Sequence, residues 1–187
     1  MSYLLAHSDI VKYSLLMSHS PTSRFHIAPA PGRLRRVQDL LNTRAIGVKE
    51  FPDLLASGTA ASKALGVELT DDDAAQLRNL RTTVEEVIAG STTQIAPVTT
   101  SLELDEVGGV QLRPSGTGWK YVASEVWAEV FVAQRTDTWR RLKRCKNELC
   151  GSAFYDRSRN NSGVWHDVKT CGNIANLRAS RARRKSE

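Results

Sequence analysis

Three cysteines and a histidine gather near the carboxyl end, in CKNELCGSAFYDRSRNNSGVWHDVKTCGN. Four residues separate Cys145 from Cys150, and four separate His166 from Cys171. Two close donor pairs joined by a loop suit a structural zinc ion, which takes four soft or borderline ligands in a tetrahedron. Cys145, Cys150, His166 and Cys171 are therefore the expected ligands of one zinc ion, with Asp167 an alternative oxygen donor beside His166. Four protein ligands leave no open position for water, so the metal is expected to be structural and no catalytic residue is assigned. Cysteines are often simply small buried hydrophobes. That reading does not explain why every cysteine of the chain falls in one cluster with a histidine. His7, His19 and His26 lie elsewhere and are assigned no role.

The elements that must position these donors are legible locally. Gly151 follows the second cysteine, where the backbone has to turn sharply. Ala153, Phe154 and Tyr155 read as a strand and Asn160-Asn161-Ser162-Gly163 as a turn. Val164 and Trp165 read as a return strand that delivers His166. Asp167 is placed to cap a helix whose first turns hold Cys171. Knuckle, hairpin and helix make a treble-clef-like layout. Ile174 and Leu177 are expected to pack the helix against the finger. Arg178, Arg181 and Lys185 then share one helical face, while Arg183 and Arg184 point elsewhere. With Arg157 and Arg159 from the hairpin, these are the expected nucleic-acid contacts, directed to phosphates rather than base edges. Arg140, Arg141, Lys143 and Arg144 would widen the positive surface.

Charge supports a polyanionic partner. Residues 135–187 hold 14 Lys/Arg against 5 Asp/Glu, whereas residues 1–134 hold 12 against 15. A mildly acidic body thus carries a strongly basic end. At 187 residues, 41% hydrophobic and 25% charged, the chain has ordinary globular composition for one domain with a small appendage. It carries no run of about 18 apolar residues, which excludes a membrane span. The opening MSYLLAHSDIVKYSLLMSHS has no basic leader and is broken by Asp9 and Lys12, so the expected compartment is the cytoplasm.

Upstream, residues 1–32 read as an arm, proline-rich from His19 to Gly32, whose first twenty residues could form a loosely docked helix. Leu34, Val37, Leu40 and Leu41 mark a helix starting at Arg33. Leu54 to Leu65 has helical composition punctuated by Gly58 and Gly66. Thr70 and Asp71-Asp72-Asp73 start a helix over 71–89. Gly108-Gly109 between LELDEV and VQLR reads as a hairpin turn. Trp119 to Val122 reads as a further strand, and Ser124 as the cap of a helix burying Val126, Trp127, Val130 and Phe131. The fold class is α+β: a mostly helical domain with a small antiparallel sheet over 33–138, then a zinc finger with a basic helix over 139–187.

The end of the chain resembles the CGNR-type zinc finger family, through RRLKRCKNELCGSAFYDRSRNNSGVWHDVKTCGN and the arginine-rich tail. The name-giving tetrapeptide stands here as Cys171-Gly172-Asn173-Ile174, with Ile174 in place of the arginine, and His166 stands where many members have cysteine. RLRRVQDLLNTR, the helix at 71–89 and the stretch ending in GWKYV are similar to the ABATE domain usually found before this finger. The resemblance implies a stress-induced transcription regulator whose finger binds DNA and whose body senses a ligand or forms a homodimer. An RNA- or ribosome-associated module and a protein-interaction adaptor are the alternatives. A treble-clef nuclease is disfavoured, because His166 is needed for the metal.

Overall fold

The computed structural model describes residues 20–46, 51–91 and 94–185. The fold is α+β: helices dominate, with two small antiparallel sheets. Helix α1 spans Leu34–Leu41 and buries the four apolar residues whose spacing announces it. Helix α2, Gly58–Leu65, is capped by Ser57, whose side chain accepts from Ala60 N, and ends at Gly66 in the left-handed region. Helix α3, Asp71–Ile88, opens on a capping box in which Thr70 and Asp73 each accept from the other's backbone N–H. Strands β1 (Thr100–Leu104) and β2 (Val110–Pro114) pair antiparallel with Leu104 opposite Val110. The Asp105 carboxylate accepts from Val107 N and Gly109 N and so closes their turn.

Helix α4, Gly118–Arg135, replaces two expectations. Trp119 to Val122 are its first turns, not a strand. Four alternating residues cannot distinguish the two periods, and Val122, Val126 and Val130 continue at helical spacing. Asp73, already capping α3, also accepts from Trp119 N at 2.9 Å. One carboxylate thereby starts two helices. Ser124 is not a cap: it is fully buried within α4. Its hydroxyl donates to Thr99 O at 2.6 Å and accepts from Ser115 N at 3.1 Å, pinning both ends of the hairpin to the helix. Phe131, expected inside, is 58% exposed, because the buried stripe of α4 runs through Val126, Val130 and Ala133. The hairpin presents Leu102, Leu104 and Val110 to solvent.

Helix α4 packs against α1 and α3. Val37, Leu40, Leu77, Val84 and Val126 lie at their junction, essentially without solvent contact. Each such side chain contributes about 1.5–3 kcal/mol by leaving water. Strands β3 (Leu142–Arg144) and β4 (Ala153–Tyr155) form the second sheet and send Leu142 and Ala153 into this same core. Asn42, buried at the end of α1, accepts from Ala153 N at 2.8 Å and donates to Ala153 O at 3.0 Å. A side-chain amide thus occupies the open edge of β4 as a neighbouring strand would. The last described element is helix α5, Asn173–Lys185.

The segment 20–32 is docked on the body. Ser23–Phe25 form a helical turn, Thr22 N donates to Asp39, and the Arg24 guanidinium donates to the carbonyls of Pro52, Asn42 and Arg44. The expected helix in the first twenty residues, and His7 and His19 with it, lie outside the described residues except for Ser20. Among the described residues, no helix is long and apolar enough to cross a membrane.

Candidate metal centre and basic helix

Each donor is held by a different local device. Cys145 follows β3, where its N–H donates to Ser152 O at 2.9 Å. The chain then folds over Asn147, whose carbonyl accepts from Cys150 N and Gly151 N. Gly151, at φ +60°, makes the sharp turn expected after the second cysteine. The return segment that delivers His166 is not a strand. β4 pairs with β3, on the other side of the knuckle, and the return segment is joined to this region by a single backbone–backbone bond, Lys146 N to Val164 O.

Residues 156–163 are instead shaped by a partly buried ion pair. Asp156 accepts from Lys143 Nζ, Ser158 N and Gly163 N at 2.7–2.8 Å, and Lys143 also donates to the carbonyls of Asn161 and Gly163. Burial pushes the Asp156 carboxyl up, but these donors together hold it well below the usual carboxylate range. A Cβ at Gly163 would stand 2.9 Å from that carboxyl carbon, so any side chain there would displace the carboxylate that closes the loop. Past His166, Asp167 accepts from Lys169 N and Thr170 Oγ1. Its carboxylate is spent as a cap and is no longer a competing ligand. A wide π-type turn over Val168–Gly172 then swings Cys171 inward ahead of α5.

These devices bring one donor atom from each of Cys145, Cys150, His166 and Cys171 within 4.8 Å of one another. His166 Nδ1 lies 3.4 Å from Cys150 Sγ and 3.6 Å from Cys171 Sγ. Tetrahedral bonds of about 2.3 Å to sulfur and about 2.0 Å to nitrogen place donors roughly 3.5–3.8 Å apart, so the set fits zinc. Cys145 and Cys171 are buried and Cys150 is half-buried. Asn147 Nδ2 donates to Cys171 Sγ at 3.3 Å, and Ser152 Oγ lies 3.0 Å from Cys150 Sγ.

Proton energetics point the same way. The Cys145 thiol hydrogen-bonds Cys150, which lowers the Cys150 thiol, helped by His166 and Ser152, to about 3, and raises Cys145. Burial raises the Cys171 thiol, and the charge on Cys150 raises it further. One thiolate is comfortable here; three require a cation among them.

Residues 141–184 match the CGNR zinc finger family. The matched segment begins at the turn before β3 and takes in all four donors and most of α5. No curated protein matches the chain. The CGNR finger with its Cys₃His cluster is a zinc-binding module able to hold one ion.

Several of the finger's basic residues are held by neighbours. Arg140 pairs with Asp137, Arg141 donates to the carbonyls of Asp156 and Ser158, and Lys143 is held by Asp156. Arg157 donates to Pro29 O at 2.7 Å and lies over the Tyr155 ring. Arg159, Arg178, Arg181, Arg183 and Arg184 are exposed, as are Arg140 and Arg157. The side chain of Lys185 lies outside the described residues. Ile174 and Leu177, expected to pack against the finger, are 36% and 58% exposed. Ile174 borders a groove of about 500 Å³ between the finger, through Leu149 and His166, and the rings of Phe25 and Phe51. That groove has no signature in sequence. Phe25 and Phe51, whose rings meet edge to face 5.1 Å apart, are separated by 25 residues and a helix.

Proposed function

We propose that this protein is a DNA-binding transcription regulator in which one structural zinc ion orders a basic helix against phosphates. The observation that carries the reading is the helix α5, which starts two residues after the ligand Cys171 and carries Arg178, Arg181, Arg183 and Arg184 exposed along its length. Zinc bound by three thiolates and an imidazole would fix the direction in which α5 leaves the body. It would also supply folding free energy, about 10–16 kcal/mol in zinc-finger peptides, to a segment with little core of its own. The finger core is three buried side chains, Cys145, Phe154 and Cys171. The arginines would then meet the backbone with release of counterions. The role is binding and not catalysis, since four protein donors complete the tetrahedron.

Fluorescence anisotropy of a 20-base-pair duplex titrated with the zinc-loaded chain tests this. Log affinity should fall linearly with log salt at a slope of about −3, as about three or four phosphates are neutralised. Deleting residues 178–187 should abolish binding. A chain that binds no duplex at low salt, or binds it as well without this segment, overturns the reading. Tighter binding to single-stranded RNA than to duplex DNA would replace DNA with RNA.

A further inference from the structure

A second groove, of about 610 Å³, lies between the carboxyl end of α3 and the finger, away from the metal donors. This volume is that of a small-molecule site. Ile88, Trp139 and Val164 supply its apolar lining. Arg140, Arg144 and Lys146 supply cations. Their present partners are weak. Arg140 holds Asp137 in a pair that is 74% exposed on both sides. Arg144 is divided between Gly151 O at 3.3 Å and Glu85 at 3.4 Å. Lys146 is exposed and has no acidic partner among the described residues. Lys143 also lines the groove, but its ammonium is used by Asp156. Glu85, the single carboxylate in the lining, is held by the Arg44 guanidinium through both oxygens. The groove therefore favours an anion, and its half-buried indole favours a planar ring.

We propose that this groove is a nucleotide site: the base lies against Trp139, and the phosphate sits among Arg140, Arg144 and Lys146. Arginine matches phosphate oxygens in pairs, and replacing the exposed Asp137 contact costs little. The ligand chemistry is shared by a free mononucleotide and by an unpaired unit of a nucleic-acid strand. The site does not depend on duplex binding by α5, because a free mononucleotide makes no use of that helix.

The zinc-loaded full chain is titrated calorimetrically with AMP, with a 12-mer of deoxythymidine and with inorganic phosphate. AMP or the 12-mer should bind more tightly than phosphate. Trp139→Ala should weaken that binding about tenfold, while Trp139→Phe retains most of it. Lys146→Glu, at an exposed position, should weaken binding about fivefold or more at low salt and less at high salt. AMP binding identifies a free nucleotide; binding of the 12-mer alone identifies a strand. An Arg178→Glu/Arg181→Glu chain that loses duplex but keeps AMP or the 12-mer separates this site from α5. The proposal falls if neither ligand binds at millimolar concentration, or if Lys146→Glu and Trp139→Phe/Ala all bind like the parent. It falls equally if inorganic phosphate competes on equal terms with AMP.

Discussion

Asn147 does two things at the metal centre. Its carbonyl shapes the knuckle by accepting from Cys150 N and Gly151 N, and its amide donates to Cys171 Sγ. Hydrogen bonds to ligating groups orient them and moderate their charge, and their loss typically costs 10–100-fold in metal affinity. Asn147→Ala should therefore weaken zinc binding about tenfold or more in a chelator competition, while Ser152→Ala, which leaves the backbone path alone, should cost less. Cys171→Ser should lose stoichiometric zinc altogether; a serine variant with one zinc per chain and an ordered finger would remove Cys171 from the ligand set. At Asp73 the carboxyl is held below its ordinary value by the N–H groups of Thr70 and Trp119. A group depressed in the folded state stabilises above its unfolded pKa, near 4, and loses that contribution as pH falls through the lower folded value. Asp73→Asn should cost about 1 kcal/mol at neutral pH, and the gap to the parent should close as acid is added below pH 4. Denaturant titrations at pH 7 and pH 3 would show this.

Elements meet here through buried amides and hydroxyls as much as through apolar contact. Asn42 of α1 satisfies both backbone groups of Ala153 in β4, and Gln38 adds a bond to the same carbonyl. Truncating Asn42 to Ala would leave the buried Ala153 N–H unpaired and its carbonyl with Gln38 alone, at about 1–3 kcal/mol. The expected result is a lower urea midpoint and faster hydrogen exchange at Ala153. Exchange unchanged from the parent would mean that β3 alone holds β4. Ser124 plays the matching part at the hairpin. Ser124→Ala should release Ser115 N and Thr99 O and destabilise the chain by about 1–3 kcal/mol, with the hairpin exchanging first. A two-stranded ribbon whose apolar residues Leu102 and Leu104 face water has little else to hold it.

For the whole molecule, the finger and the body share material. Leu142 and Ala153 belong to the large core, while Phe154, between Ala153 and Tyr155, belongs to the cluster around the cysteines. Removing zinc with a chelator should free the segment from Cys145 to α5 and leave the helical body folded. Limited trypsin digestion should then trim the carboxyl end to a resistant body fragment. A chelated chain as resistant as the loaded one would show that packing, not metal, orders the finger. The same treatment should abolish the salt-dependent duplex affinity, since the arginines of α5 would lose their common scaffold.

The amino-acid sequence alone determined what is local and chemical. Two donor pairs at equal spacing, the helix cap at Thr70, the Gly108-Gly109 turn and the charge contrast between the two ends are properties of neighbours in the chain. Tertiary structure decided whatever depends on residues far apart. Trp119 to Val122 are helical and Ser124 lies inside a helix, because Asp73 and the hairpin reach them from 46 and 9 residues away. Val164 and Trp165 are no strand, because β4 finds its partner in β3 and its other edge is filled by Asn42. Arg141 and Lys143 are structural bonds and not free cations, since loop carbonyls and a buried carboxylate converge on them. Both grooves likewise arise only where separate segments fold together. Periodicity and spacing report the backbone's own preferences; which polar group satisfies which is settled by packing at a distance.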